Sequence, residues 1–321
     1  MRFLVAPDSF KGTFGAAEAA EAIAEGVEAG GGEADRCPVA DGGEGTMEVL
    51  LGALGGERRT ATVRDPLRRP IEASFGLLGD GTAAIVETAQ ASGLPLVAPE
   101  ERDPERADTF GTGELIAAAV AAGARTVLLA VGGSATTDGG AGAIEALRAA
   151  GLLGAVEIEV LCDVAVPYED AASIFAPQKG AGAAAVERLS ARLDALAGGL
   201  PRDPRGVSMT GCAGGLSGGL WAHGAQLRPG AAFVLDAVGF DQRLARAGAV
   251  VSGEGRFDSQ SLKGKIVGEI ASRCERAGKP LHVVVGEDEF EGERPGAVAS
   301  VTEAGTPGAM RRAGRELASV P

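Results

Sequence analysis

The chain predicts an α/β fold: a parallel, doubly wound sheet assembled from both chain ends, with a second α/β domain inserted between them. Three observations carry this. Short apolar runs, at residues 2–6, 126–131 and 249–251, end in polar glycine-bearing loops and lead into helical periodicity. Repeated strand–loop–helix units build parallel sheets whose ligand loops lie at the carboxyl ends of the strands. The 51 glycines are about twice the ordinary share of roughly 7% and show no collagen period, which suits many tight strand-to-helix turns. At 321 residues the chain is long for one domain and comfortable for two.

In order, residues 2–6 (RFLVA) read as a buried strand that ends in Pro-Asp. A helix follows over Ala16–Ala29, with Ala20, Ile23 and Val27 at helical spacing. The short run CPVA (37–40) leads into ADGGEG, and Met47, Leu50, Leu51 and Leu54 mark the next helix. From about residue 57 the texture becomes an antiparallel meander: Thr60–Arg64, Ile71–Leu77 and Ala83–Glu87, split by Asp-Pro and Gly-Asp-Gly turns. A helix over Glu114–Ala122 and a strand over Thr126–Val131 precede GGSATTDGG (132–140). Glu157–Val164 alternates as a strand, and Val186, Leu189, Leu193 and Leu196 mark a helix. Residues 198–212 are loop-like. The C-terminal part returns to strand (249–251), loop (252–265), helix (266–277) and strand (281–285). The expected division is 1–62 with 231–321 for the chain-end domain and 63–230 for the insert.

A net charge of −14 argues against non-specific binding to nucleic acid or anionic membranes, which needs a basic face. Cys37, Cys162, Cys212 and Cys274 form no CxxC pair and no zinc spacing, so they read as small buried hydrophobes. The N-terminal apolar run is too short for a signal peptide, and no apolar stretch reaches the ~18 residues of a membrane span. A cytoplasmic protein is expected, with no nucleic-acid or membrane partner.

The chemistry concentrates in five clusters: APDSFKG (6–12), ADGGEG (40–45), GGSATTDGG, PQKG (177–180) and SGEGRFDSQSLKGK (252–265). Only five of the 30 basic residues are lysines, and four of those five (Lys11, Lys179, Lys263, Lys265) lie inside the clusters. A compact ammonium beside glycines and hydroxyls is not equivalent to arginine, and it points to a phosphate-handling site. In GGSATTDGG, backbone N–H groups at a helix entry suit anions, with Ser134, Thr136 and Thr137 adding hydroxyls and Asp138 a carboxylate; capping chemistry alone explains the same residues. Asp8, Ser9 and Lys11 stand at one strand end, and Asp41 and Glu44 at the next. The 252–265 run adds Glu254, Arg256, Asp258, Ser259, Gln260, Ser261, Lys263 and Lys265, directly after a strand. No GxxxxGK[ST], GxGxxG, HRD or DFG occurs, so P-loop and protein-kinase sites are excluded. One GxSxG surrounds Ser217, but no apolar strand precedes it and only His223 and His282 are available as base. It reads as a tightly packed helix start rather than a serine hydrolase.

In their order, these clusters closely resemble the bacterial type I glycerate kinase family, together with the run GTGELI (111–116) and the FAPQKG and AGGLSGGL stretches. The resemblance covers nearly the whole chain. It implies a flavodoxin-like domain from both chain ends and a second α/β domain between them. It further implies ATP-dependent, Mg²⁺-assisted phosphorylation of D-glycerate, normally at the 2-hydroxyl; a member that binds a hydroxy acid without turnover is the alternative. The chain departs from the family pattern twice. A few dozen residues are missing after Gly151, and the stretch after Cys162-Asp163-Val164 lacks the usual Asn-Pro-Leu and Gly-Pro run.

Phosphoryl transfer depends on positioning and on neutralising charge. Lys11, Lys263 and Arg256 are expected to neutralise the γ-phosphate or the glycerate carboxylate. Asp41 leads as the group that orients or deprotonates the hydroxyl, before Asp138 and Asp258. Asp8, Ser9, Glu44, Glu254 and Arg256 are expected around the substrate. Gly132, Gly133, Ser134, Thr136, Thr137 and Lys179 are expected around the nucleotide, and Glu44 and Asp163 at Mg²⁺. Domain closure, hinged near 62–66 and 228–240, is expected to unite the two sets, and a homodimer is compatible with these features.

Overall fold

A computed structural model describes residues 1–10, 12–259, 261–262 and 265–319. In chain order the strands are β1 (Arg2–Pro7), β2 (Glu33–Arg36), β3 (Gly56–Arg64), β4 (Pro70–Leu78), β5 (Ala83–Glu87), β6 (Thr126–Ala130), β7 (Glu157–Cys162), β8 (Gln226–Pro229), β9 (Ala249–Phe257), β10 (Leu281–Asp288) and β11 (Val298–Glu303). The chain divides into two compact units, residues 1–41 with 231–321 and residues 42–230.

The first unit holds a five-stranded, all-parallel sheet in the order β11-β10-β9-β1-β2. Numbered within the unit this is 2-1-3-4-5, the flavodoxin-like doubly wound order, which reverses direction between β1 and β9. Phe3, Val5, Val251 and Val284 bury one face against Ile23 and Val27 of the helix Ala16–Ala29 and Met310 of the helix Pro307–Ser319. Those two helices approach backbone to backbone. A Cβ on Gly26 would stand 2.1 Å from the Arg311 carbonyl oxygen, and one on Gly314 2.3 Å from that of Ile23. The alternate residues Leu4, Val250 and Val283 face the other way. There the amphipathic helix Ile266–Ala277 packs on β9 and β10, as right-handed crossovers require.

The second unit holds a six-stranded mixed sheet in the order β3-β4-β5-β6-β7-β8. The meander read from sequence is the antiparallel part, β3-β4-β5; β5 through β8 run parallel. Val86, Leu115, Ile116, Leu129, Val160 and Leu216 are fully buried in its core. Residues 42–62, assigned from sequence to the chain-end domain, group here with the middle. The helix Thr46–Leu54 packs on β4 and β5, and β3 pairs with β4 along its whole length.

Three further differences have physical causes. The 252–265 cluster is strand, not loop, as far as Phe257, because β9 is laddered on both sides, to Ala6 and Pro7 of β1 and as far as Asp288 of β10. The second strand is the charged edge segment Glu33–Arg36, pinned where Asp35 pairs with Arg2 at 3.0 Å and Arg243 at 2.8 Å. Residues 37–40 merely continue beside β1, through Cys37 N–H to the Val5 carbonyl and Val39 N–H to that of Pro7. Third, β8, β11 and the helix Pro307–Ser319 have no counterpart in the sequence reading; the two strands are partly exposed edges without an apolar run. All four cysteines are free and buried, as expected. Among the described residues no helix is long and apolar enough to cross a membrane.

Candidate active site

In the first unit a cavity of about 530 Å³ opens at the carboxyl ends of β1, β9 and β10. This is the point where the strand order reverses and where doubly wound sheets bind ligands. Asp8, Ser9, Asp41, Glu254, Arg256 and Asp258 all line it, so the structure gathers these six sequence candidates in one place. Phe10, Thr13, Lys265, Gly286 and Glu287 complete the wall. Lys265, the residue preceding the helix Ile266–Ala277, brings an ammonium to that helix's N-terminus. Lys11 and Lys263 lie outside the described residues.

Asp8 is held at the β1 terminus. Its N–H donates to the Gly253 carbonyl at 2.8 Å, and its Oδ1 accepts the Ser9 N–H at 2.6 Å. Asp258 closes a tight turn: its N–H donates to Ser261 Oγ at 3.1 Å, and its Oδ1 accepts the Ser261 N–H at 3.3 Å. Arg256 is mostly exposed and pairs with Glu289 on its outer side. Glu254 is the unusual group. It is 9% exposed, and its Oε1 is buried without a hydrogen-bond partner. Burial pushes its carboxyl up to about 7; a Ser261 hydrogen bond and Lys265 oppose that rise, while Asp41 and Asp258 add to it.

In the second unit the 132–140 loop leaves the carboxyl end of β6 and enters the helix Ala141–Ala149. Lys179 is buried beneath it and donates to Ser134 Oγ at 3.0 Å and to the Thr136 carbonyl at 2.6 Å. Burial lowers its ammonium to about 8, against the opposing pull of Asp138 and Asp163. Thr136 Oγ1 and Thr137 Oγ1 are buried without hydrogen-bond partners. Gly132 packs against the backbone of Gly43, bringing the 42–45 loop with its exposed Glu44 alongside. Asp163 stands half-buried just past β7.

Asp138, the second candidate base, is held by four hydrogen bonds. Its Oδ2 accepts Thr109 N–H at 2.9 Å, Thr109 Oγ1 at 2.8 Å and Gly142 N–H at 3.0 Å, while Oδ1 accepts Gly140 N–H at 3.1 Å. A carboxylate with four donors capping a loop is a fixed anchor, with little capacity left for a substrate proton.

Glu87, at the end of β5, was missed. Its Oε1 accepts the N–H groups of Gly45 and Met47 at 2.9 and 2.8 Å, so it occupies the N-terminus of the Thr46–Leu54 helix, while burial raises its carboxyl. The signal was an acidic residue closing an apolar strand. AGGLSGGL is scaffolding for the loop: Gly139 N–H donates to the Gly214 carbonyl, and Tyr168 lies against Gly139, Gly215 and Gly218. Ser217 is buried, donating to the Met209 carbonyl at 2.7 Å, so the GxSxG is no nucleophile elbow.

A family model described as the glycerate kinase family matches residues 3–154 and 148–303. The two stretches meet at residues 148–154, where the sequence reading finds the missing segment. A glycerate kinase of Bacillus subtilis (strain 168) is 38% identical, the alignment covering 89% of this chain and 85% of that protein. A glycerate 2-kinase of Escherichia coli (strain K12) is 37% identical at the same coverage. The crystal structure of a proposed glycerate kinase 2 from Salmonella typhimurium LT2 superposes with a TM-score of 0.84 at 34% identity, over 99% of this chain and 97% of that one. A family match along most of the sequence, with a solved relative of the same architecture, makes this chain a member of the glycerate kinase family and a kinase by class.

Proposed function

We propose that this protein transfers the γ-phosphoryl group of ATP to D-glycerate, at the 2-hydroxyl, releasing ADP. The single observation that carries the reading is the convergence of Asp8, Ser9, Asp41, Glu254 and Lys265 on one cavity at the strand-order reversal of a glycerate kinase family chain. Glycerate is small, anionic and rich in hydroxyls. Lys265 and Arg256 meet its carboxylate, and the Asp8, Asp41 and Glu254 carboxylates accept from its hydroxyls.

The 132–137 loop fits a polyphosphate. Its two buried hydroxyls without partners, Thr136 and Thr137, are donors waiting for an acceptor, and the Lys179 ammonium beneath supplies charge in a site of low polarity. Asp138 keeps that loop in shape. Among the described residues no group of three or more metal-capable side chains occurs. Mg²⁺ asks for less, since one or two carboxylates with phosphate oxygens and water satisfy it. Glu44 and Asp163 are the residues that would hold it, and when bound it would neutralise phosphate charge.

ADP release by purified protein with ATP, Mg²⁺ and D-glycerate tests the reading. Turnover that requires glycerate is expected. Tight glycerate binding by calorimetry without ADP release would replace the enzyme with a hydroxy-acid-binding protein.

A further inference from the structure

We infer that Glu254, rather than Asp41, is the catalytic residue that takes the proton of the acceptor hydroxyl. The inference rests on the proposed glycerate phosphorylation and names the base within that same pocket. A general base must have an oxygen free to accept, within reach of a bound hydroxyl, and shielded from competing water. Glu254 Oε1 is buried and has no hydrogen-bond partner, and it belongs to a residue that lines the cavity. Three neighbouring aspartates already hold interactions. Asp8 Oδ1 accepts the Ser9 amide, Asp258 Oδ1 accepts the Ser261 amide, and Asp41 carries an interaction of its own.

The fold holds Glu254 where a base is needed. It lies on β9, paired on the far side with Val285 of β10, so its backbone is fixed one residue beyond the Gly253–Pro7 pairing with β1. The charged groups around the pocket come from every neighbouring element: Asp8 from β1, Asp41 from the segment beside it, Glu287 from β10, Arg256 and Asp258 from β9 and its turn, and Lys265 from the helix start. Asp41 and Asp258 raise the proton affinity of Glu254, and Lys265 and Ser261 limit it, leaving a carboxyl that exchanges its proton near pH 7.

The step balances without further reagents. The hydroxyl oxygen forms a bond to the γ-phosphorus as the bond from that phosphorus to the β–γ bridging oxygen breaks, and ADP leaves with the electron pair. The hydroxyl proton passes to Glu254 Oε1 and from there to solvent.

The test compares wild type, Glu254→Gln, Glu254→Asp, Asp258→Asn and Asp41→Asn by steady-state kinetics across about pH 5–9. Wild-type kcat/KM should fall about tenfold per pH unit below an apparent pKa near 7. Glu254→Gln should lower kcat about 100-fold or more, leave the glycerate KM within about threefold and abolish the acidic limb. Glu254→Asp should recover part of the activity with the limb restored. Asp258→Asn should move the limb to lower pH by removing a like charge. Infrared difference spectra between wild type and Glu254→Gln read the protonated carboxyl directly, without turnover, and should show it titrating near pH 7. A Glu254→Gln enzyme that keeps a third of kcat and its acidic limb, or a collapse of kcat confined to Asp41→Asn, would overturn the assignment. Absence of glycerate-dependent ADP from the wild type would instead remove the proposed function itself, and the base with it.

Discussion

The Lys179 ammonium, wholly enclosed, donates to the Thr136 carbonyl at 2.6 Å and so ties the 177–180 turn to the 132–140 loop. Burial lowers its pKa to about 8. A polyphosphate held by that loop favours the charged form and raises the pKa again. Nucleotide binding should therefore take up a fraction of a proton near pH 8, where the free lysine is half charged, and almost none near pH 6. Calorimetry in buffers of different ionisation enthalpy measures this uptake. Lys179→Met should abolish it; an uptake unchanged in the variant would detach Lys179 from the nucleotide.

Glu254 also has a stability signature. Its folded pKa, about 7, lies above the ordinary carboxylate value, so the folded state holds a proton that the unfolded chain has already released. Its contribution is full below the unfolded pKa and declines as pH rises toward 7, by at most about 3 kcal/mol. Glu254→Gln should therefore be more stable than wild type at pH 8, with the gain disappearing toward pH 5. Denaturant unfolding at the two pH values checks it. Equal stability differences at both would show that the carboxyl titrates normally.

Asp138→Asn replaces an acceptor of four hydrogen bonds with an amide whose NH₂ faces donors. A loss of about 2–4 kcal/mol is expected, with weakened nucleotide binding. Unfolding and nucleotide titration distinguish this from a base. A variant of wild-type stability that lost only kcat would restore Asp138 to the chemistry.

Tyr168 presents the opposite case. Its ring fills a slot lined by Gly139, Gly215 and Gly218, yet its buried hydroxyl has no partner. Tyr168→Phe should be neutral or stabilising by about 1 kcal/mol, because an unsatisfied polar group is removed. Tyr168→Ala should cost about 3–5 kcal/mol through the cavity it leaves. Chemical denaturation of both variants tests the pair; a destabilised Phe variant would reveal a partner for the hydroxyl.

Much of this was legible in the sequence. Apolar runs at 2–6, 126–131 and 249–251 announced central parallel strands because both their faces are buried. The edge strands β2, β8 and β11 carry charged or half-exposed residues, leaving no such signal. The candidate site residues stand out as glycine-flanked polar clusters, but a division of labour among them does not. Asp138 and Glu254 look alike in a sequence. What separates them is the number of donors each meets, four against one oxygen with none, and that depends on Thr109 and the 140–142 amides for the one and on the β9 terminus for the other. Glu87 went unseen because its partners, Gly45 and Met47, lie some forty positions away.

Phosphorus NMR of the reaction of purified protein with ATP, Mg²⁺ and D-glycerate is the most direct measurement of the activity. One new resonance, coincident with authentic 2-phospho-D-glycerate and growing in step with ADP, is expected. A product coincident with the 3-phosphate would contradict the position of transfer, and ADP formation indifferent to glycerate would contradict the function.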